Sequence, residues 1–315
     1  MPRRVLITGI TGFAGSHLAE HAVASGDEVH GLAFEEPPYA NLSAIAKDVR
    51  IHRGDLGDPA AVRAAVIAAR PDVIVHLAGQ AVPALASQDP EAAARVNVLG
   101  TSAVVEAARP GGIRVVFASS AEVYGVPDGP AREDAPLRPP NAYAETKVAA
   151  EALVRTLPAA VILRPVNQVG PRQHPALAAS AFARQIALAE TGAAERIIRH
   201  GRLDASRDFV DVRDMARAYR LAAALDGQET FNVGSGRTVA MQELFDILVS
   251  MSRVELRTEL DPERVRAGDP ATVSVDSTAF RARTGWEPRI PLRQSLADLL
   301  DHWRALARKE ALARA

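Results

Sequence analysis

The chain has 315 residues, 48% of them hydrophobic, with a formal net charge of -1. This length supports a sizeable core in two lobes rather than one, and the near-neutral balance argues against a polyanion such as DNA as a partner. No cysteine is present, which excludes disulfides, thiolate catalysis and cysteine-held metals. The eight histidines have no metal-like spacing, so no metal is expected. No apolar run reaches the ~18 residues of a membrane span, and the first residues lead straight into a core strand. A cytoplasmic setting without a signal peptide is the expectation.

The first element is a short apolar strand, Val5-Leu6-Ile7, followed by Thr8-Gly9-Ile10-Thr11-Gly12-Phe13-Ala14-Gly15 and an amphipathic helix from His17 to Ala24. Gly9 permits a tight turn, Gly12 a close approach of backbone to pyrophosphate, and Gly15 close packing of helix on strand. The helix N-terminus offers free N–H groups to phosphates. Strand, glycine turn and helix in this order point to a dinucleotide site. Glu28 to Phe34 is a second strand, whose end should meet the adenosine ribose. It carries Glu35 and Glu36 and no nearby arginine in the sequence, a lean towards NAD over NADP. Acids that merely solvate a loop are the competing reading. Val49 to His52 is a third strand. Asp55, before Leu56, suits either the adenine amino group or a plain turn.

A helix over 58–69 opens on Asp58 and Pro59. Val73-Ile74-Val75-His76-Leu77-Ala78-Gly79 reads as a buried parallel strand whose small end residues let backbone lie against a cofactor. Asp89 and Pro90 open a helix through Asn97 to Ala108. Val115 to Ala118 is a continuous apolar strand ending in Ser119-Ser120-Ala121-Glu122-Val123-Tyr124-Gly125, and the carboxyl end of a parallel strand faces the ligand crevice. After a Pro- and Gly-rich loop, 126–142, a helix from Asn141 carries Tyr143 and Lys147, and Val161 to Pro165 is the next strand. This alternation predicts an α/β fold: a doubly wound parallel sheet over 1–165, with a smaller, mostly helical lobe over 166–315. Segments near 207–235 and 270–280 are expected to return to the first domain. In the second lobe, 167–173 reads as a turn-rich loop. Helices are expected over 176–189, from about 214 to Leu225, over 239–252 and from Leu292 onward, with a strand over 230–233 and a polar loop over 264–275.

Tyr143 and Lys147 are four apart, so they share one helix face. An ammonium beside a phenol favours the phenolate, giving an acid/base usable near neutral pH. Ser120, at a strand end, is placed to hydrogen-bond the same substrate oxygen. A solvated helix face is the bland alternative. Against it, only three of the 37 basic residues are lysines, so a lysine here is more often chosen for its chemistry.

Several further stretches carry a resemblance: Asp55-Leu56, His76-Leu77-Ala78, Asn97-Val98-x-Gly100-Thr101, Ser119-Ser120-x-Glu122-Val123-Tyr124-Gly125, Tyr143-xxx-Lys147, Arg164-Pro165-x-Asn167 and Arg207-Asp208-Phe209-Val210-x-Val212-x-Asp214. Together with the glycine turn, they make the chain resemble an extended short-chain dehydrogenase/reductase acting on nucleotide sugars. The resemblance implies a Ser120, Tyr143 and Lys147 triad, with Lys147 also on the nicotinamide ribose. It implies cofactor contacts along Gly9, Thr11, Gly12, Phe13, Ala14, Gly15, Glu35, Asp55, Leu56, Leu77, Ala78, Gly79 and Asn97, and nucleotide-sugar contacts from Asn167, Arg207, Arg172 and Arg266. Arginine suits a diphosphate because its fork donates two bonds at once.

Within that family, the run from His200 to Tyr219 and the run from Arg164 to Pro171 are similar to the GDP-mannose branch. The implied reaction is reduction of the C4 ketone of GDP-4-keto-6-deoxy-mannose to GDP-rhamnose, with NAD or NADP. GDP-mannose 4,6-dehydratase is the rival, because Glu122 stands where dehydratases keep a catalytic glutamate. A structural acid capping a turn is the other reading of Glu122. A silent nucleotide sensor would have lost Tyr143 or Lys147. The family also implies a homodimer through helices near 90–108 and 141–156.

Overall fold

The structure is a computed structural model that describes residues 3–265 and 272–314. Its first half alternates strands with helical connections. The strands are β1 (Arg4–Thr8), β2 (Glu28–Ala33), β3 (Val49–Arg53), β4 (Val73–His76), β5 (Arg114–Ala118) and β6 (Ala160–Pro165). Between them run α1 (Phe13–Ala24), α2 (Pro59–Ala69), α3 (Pro83–Gln88), α4 (Pro90–Ala94), α5 (Gly100–Ala108) and α6 (Ala142–Val154).

The remainder contains β7 (Asn167–Val169), α7 (Ala178–Glu190), β8 (Ile197–His200), β9 (Ser206–Asp211), α8 (Val212–Ala222), β10 (Gln228–Val233), β11 (Thr238–Ala240) and α9 (Met241–Ser250). It closes with β12 (Arg257–Leu260), β13 (Thr272–Val273), α10 (Thr278–Thr284) and α11 (Leu292–Arg314).

Seven strands form one parallel sheet in the order β10-β6-β5-β4-β1-β2-β3. The order reverses between β1 and β4, and in an open α/β sheet the ligand crevice lies outside the strand ends at that switch. The central strands β1, β4, β5 and β6 are near-continuous apolar runs because helices cover both faces. Alternate residues go to opposite cores. Leu6, Ile74, Val115, Phe117 and Ile162 pack with α2, α5 and α6, while Ile7, Val75, Val116, Val161 and Leu163 pack with α1 and α8. A separate core joins α7, α9 and α11 through Phe182, Ile186, Leu244, Leu248 and Leu299. Among the described residues, no helix is long and apolar enough to cross a membrane.

Several expected boundaries move. Residues 167–169 are not loop but pair with β9. Val239 lies in β11 rather than in a helix, and α9 starts at Met241. The β4 strand stops at His76, leaving Leu77 to Gly79 as irregular backbone at the strand end. The helix expected over 90–108 is interrupted by a π turn, Arg95–Leu99, a feature that often marks a functional site.

Candidate active site

Helix α1 begins at the glycine turn with Gly12 as its N-cap. No side-chain cap is made and no acid lies in its first turn, so its positive end stays available to an anion. The turn is compact. Gly12 N–H donates to the Gly9 carbonyl at 3.0 Å, and Gly9 has a left-handed φ of +70°. A methyl group on Gly9 would stand 2.9 Å from Cα of Ala78, and one on Gly15 would stand 2.0 Å from the Gly9 carbonyl oxygen. Backbone from β1 and β4 therefore meets here because side chains are missing. That cradle fits a dinucleotide pyrophosphate. Phe13 and Ala14 lie in the first turn of α1. Thr11 Oγ1 donates to Glu35 at 2.8 Å, which holds that carboxylate beside the turn.

The reading that no arginine lies near Glu35 and Glu36 holds along the chain but not in space. β3 runs beside β2 with Arg53 opposite Ala33, and Arg53 pairs with Glu36. Asp55 is exposed and accepts from Gly57 N–H at 2.8 Å. Leu56 is buried and leaves no room for a side chain at Gly100.

On the other side of the switch point, Ser120 follows β5 and caps the single helical turn Ala121–Tyr124, its hydroxyl accepting from Glu122 N–H at 3.1 Å. Asn141 caps α6 by accepting from Ala144 N–H at 2.9 Å, and donates to Glu122 at 3.1 Å. Tyr143, in the first turn of α6, is buried against Ala86 and Ala93. Its hydroxyl is close enough to Ser120 for that hydroxyl to influence the phenol. Lys147 lies one turn on. It donates to the Ala118 carbonyl at 2.8 Å and stands 5.0 Å from the Phe117 ring centre and 5.8 Å from that of Tyr143.

The electrostatics differ from the expectation. Burial raises the Tyr143 phenol, the charge of Glu122 raises it further, and the Ser120 hydroxyl lowers it. Burial also lowers the Lys147 ammonium to about 8, against the raising influence of Glu151. Two groups with ordinary values far above neutrality are thus desolvated together, and the lysine is brought near the working range of an acid/base group.

Asn97 lies in the π turn, and a methyl group on Gly79 would meet its Oδ1 at 2.6 Å and the Lys147 ammonium at 3.9 Å. Asn97 accepts from Gln80 N–H at 2.7 Å and donates to Thr146, which donates to the Tyr143 carbonyl. Its own carbonyl accepts from Thr101. That leaves Thr101 to accept from His76 Nε2–H, and His76 Nδ1 to accept from Thr8. The imidazole is neutral in this arrangement, and burial, with the nearby Lys147 charge, holds it down to about 3. Thr8 in turn accepts from Ala78 N–H at 3.2 Å. One hydrogen-bonded path thus runs from the glycine-turn strand to the tyrosine helix.

A second buried network lies behind the triad. Arg164 grips Glu151 through both carboxylate oxygens, at 2.9 and 2.7 Å. Ser119 donates to Glu151 at 2.6 Å, and Arg164 donates to Tyr124, whose hydroxyl donates to Asn232. Roles for His76, Thr8, Thr146 and Glu151 were not evident from the sequence. The available signals were polar residues inside otherwise apolar strands, and an acid one turn after Lys147.

Asn167 is exposed at the start of β7 and donates to the Asp208 carbonyl at 3.3 Å. Arg207 is on the neighbouring β9 and donates to the Ser206 carbonyl. Arg172, expected as a nucleotide-sugar contact, is paired with helix α1. Its guanidinium is engaged by Glu20 at 2.5 Å and Ser16 at 3.1 Å, both on α1. Arg266 lies outside the described residues.

A doubly wound sheet with a glycine-turn cradle and a buried Ser–Tyr–Lys cluster across its switch point defines an enzyme of the short-chain dehydrogenase/reductase class. Comparison with known proteins agrees. The profile of the GDP-mannose 4,6 dehydratase family matches residues 6–299, and the chain belongs to that family. It is 33% identical to the GDP-6-deoxy-D-mannose reductase of Pseudomonas aeruginosa, over 98% of this chain and 100% of that one. Among solved structures, RMD from Pseudomonas aeruginosa complexed with NADPH superposes with a TM-score of 0.81 at 30% identity, covering 96% of this chain and 99% of that one. The Thermus thermophilus UDP-glucose 4-epimerase complex with NAD gives 0.83 at 31% identity, covering 95% and 98%. Both of these solved structures hold a nicotinamide dinucleotide, NADPH in the first and NAD in the second.

Proposed function

We propose that this enzyme reduces the C4 ketone of GDP-4-keto-6-deoxy-D-mannose to GDP-D-rhamnose. The observation that carries the reading is end-to-end similarity to a GDP-6-deoxy-D-mannose reductase combined with an intact Ser120–Tyr143–Lys147 cluster at the crevice. When bound, the reduced nicotinamide supplies the hydride. Tyr143 gives its proton to the alkoxide oxygen that forms, Ser120 orients that oxygen, and the Lys147 ammonium stabilises the phenolate left behind. Gly9, Gly12, Gly15, Ala78 and Gly79 hold the dinucleotide by close backbone approach. Thr11, Phe13, Ala14, Asp55, Leu56, Leu77 and Asn97 line its path. Asn167 and Arg207 take the nucleotide sugar.

Glu35 favours NAD, since a carboxylate accepts from a ribose 2′-hydroxyl and repels a 2′-phosphate. Arg53 opposes this preference, so both dinucleotides should be tried. The dehydratase reading is supported by the match to the GDP-mannose 4,6 dehydratase family and by Glu122, whose charge acts on Tyr143, since removal of water across C5 and C6 needs such an extra acid/base. The test is to mix the protein with GDP-mannose, with and without an added dehydratase, and follow NAD(P)H. Cofactor oxidation only with the added dehydratase supports the reductase, whereas formation of a 4-keto sugar by the protein alone selects the dehydratase. We also propose a homodimer through α4–α5 and α6, where Leu99 is 61% exposed. Sedimentation of a monomer at micromolar concentration would contradict it.

A further inference from the structure

Two consecutive loop residues of the second lobe grip one stretch of α1. Arg172 donates to Ser16 and Glu20, and the Pro171 carbonyl accepts from His17 Nε2 at 3.0 Å. His17 is buried and also stands 3.7 Å from Glu20. The loop bends sharply to make these contacts. Arg172 has φ +72°, a left-handed backbone that a side chain makes costly and that persists only where the surroundings enforce it.

The same loop is closed on itself and tied to the second lobe. Gln173 donates to the Gln168 carbonyl at 2.7 Å, and the Gln173 carbonyl accepts from Ser180 of α7. Trp303 of α11 donates to Ser180 at 2.9 Å. Asn167 begins β7, the strand that leads into this loop, and Gly12 caps α1. A rigid helix therefore carries the dinucleotide cradle at one end and holds the substrate-side loop by its flank.

We propose that Arg172 is a positioning residue that acts through Glu20 and Ser16 to seat residues 167–173, and Asn167 with them, at the edge of the crevice. This rests on the assignment of Asn167 to the nucleotide sugar. It reverses the alternative in which Arg172 itself grips the diphosphate, and the two make opposite predictions for Glu20. If Arg172 is a direct ligand, Glu20 competes with the diphosphate for it, and Glu20→Ala leaves GDP-mannose binding unchanged or tighter. If Arg172 works through Glu20, Glu20→Ala weakens GDP-mannose binding about 10-fold, Arg172→Ala does the same, and the double variant is no worse than either. Turnover of Glu20→Ala at saturating sugar stays within about threefold of the parent, because no reacting group has moved.

Hydrogen exchange of the chain without sugar gives a second readout. The amides of 167–173 should exchange about 10-fold faster in Glu20→Ala, and unchanged exchange overturns the proposal. Failure of the unsubstituted protein to bind GDP-mannose would count against the functional reading, and the exchange rates would still decide the role of Arg172. Arg172→Lys keeps the charge and loses the two-pronged fork. It should behave like Arg172→Ala in exchange, and parent-like exchange would contradict the role of the fork.

Discussion

The two sides of the crevice are built on opposite plans. At the glycine turn, the geometry comes from what is absent. Gly9, Gly12 and Gly15 bring β1, β4 and α1 together because no Cβ intervenes, and the binding groups are main-chain amides that any sequence would supply. At the tyrosine side, the geometry comes from what is present. Tyr143 and Lys147 are buried polar groups held in place by Asn97, Thr146 and Ala118. Behind them, Glu151 and Arg164 form a paired, fully hydrogen-bonded charge cluster. The first plan should fail by collision, the second by electrostatics.

The largest effect is expected from Glu151→Gln. It leaves Arg164, only 2% exposed, without its counter-charge, and breaking a buried pair on one side costs about 3–5 kcal/mol. Denaturant unfolding measures this, and a loss below about 1 kcal/mol would show that the cluster does not carry the tyrosine side. Gly15→Ala comes next. The added methyl group would meet the Gly9 carbonyl at 2.0 Å, so the turn must open, and dinucleotide affinity should fall about 10- to 100-fold, as 1–3 kcal/mol of overpacking implies. Calorimetric titration checks it, and unaltered binding would refute the cradle.

The pH profile sharpens the contrast further. Lys147 is charged below about 8 and neutral above it, so kcat/KM should decline as pH rises through that value. Because Glu151 raises the Lys147 value, the decline should move to lower pH in Glu151→Gln, and should stay in place in Gly15→Ala. The smallest effect belongs to Glu35→Gln. It should narrow the preference for NAD over NADP by about 10-fold at most, the scale of one exposed carboxylate. A preference for NADP in the unsubstituted protein would transfer the decision to Arg53.

The same contrast explains what the sequence made legible. The glycine turn could be read because strand, glycines and helix are contiguous and each glycine has a local steric reason. Tyr143 and Lys147 could be paired because helix periodicity is local too. Their electrostatic environment could not be read. It depends on the burial of α6 against α3 and α4, and on Glu122 approaching from another segment. Arg53 reaches Glu36 only through the pairing of β2 with β3, which linear neighbourhood does not show. Arg172 looked like a diphosphate ligand by residue type. Its partners, Ser16 and Glu20, lie more than 150 residues earlier. The π turn at Arg95–Leu99 left no composition signal, because the run around Asn97 reads as ordinary helix.

The account stands most directly on the Tyr143 hydroxyl. Single-turnover reduction of GDP-4-keto-6-deoxy-D-mannose by Tyr143→Phe, preloaded with reduced dinucleotide, isolates that atom. The prediction is a rate at least about 100-fold below the parent with dinucleotide affinity unchanged, since general acid catalysis contributes on that scale and the cradle lies on the other side of the crevice. A phenylalanine variant that reduces the ketone at the parent rate would contradict the role given to this residue.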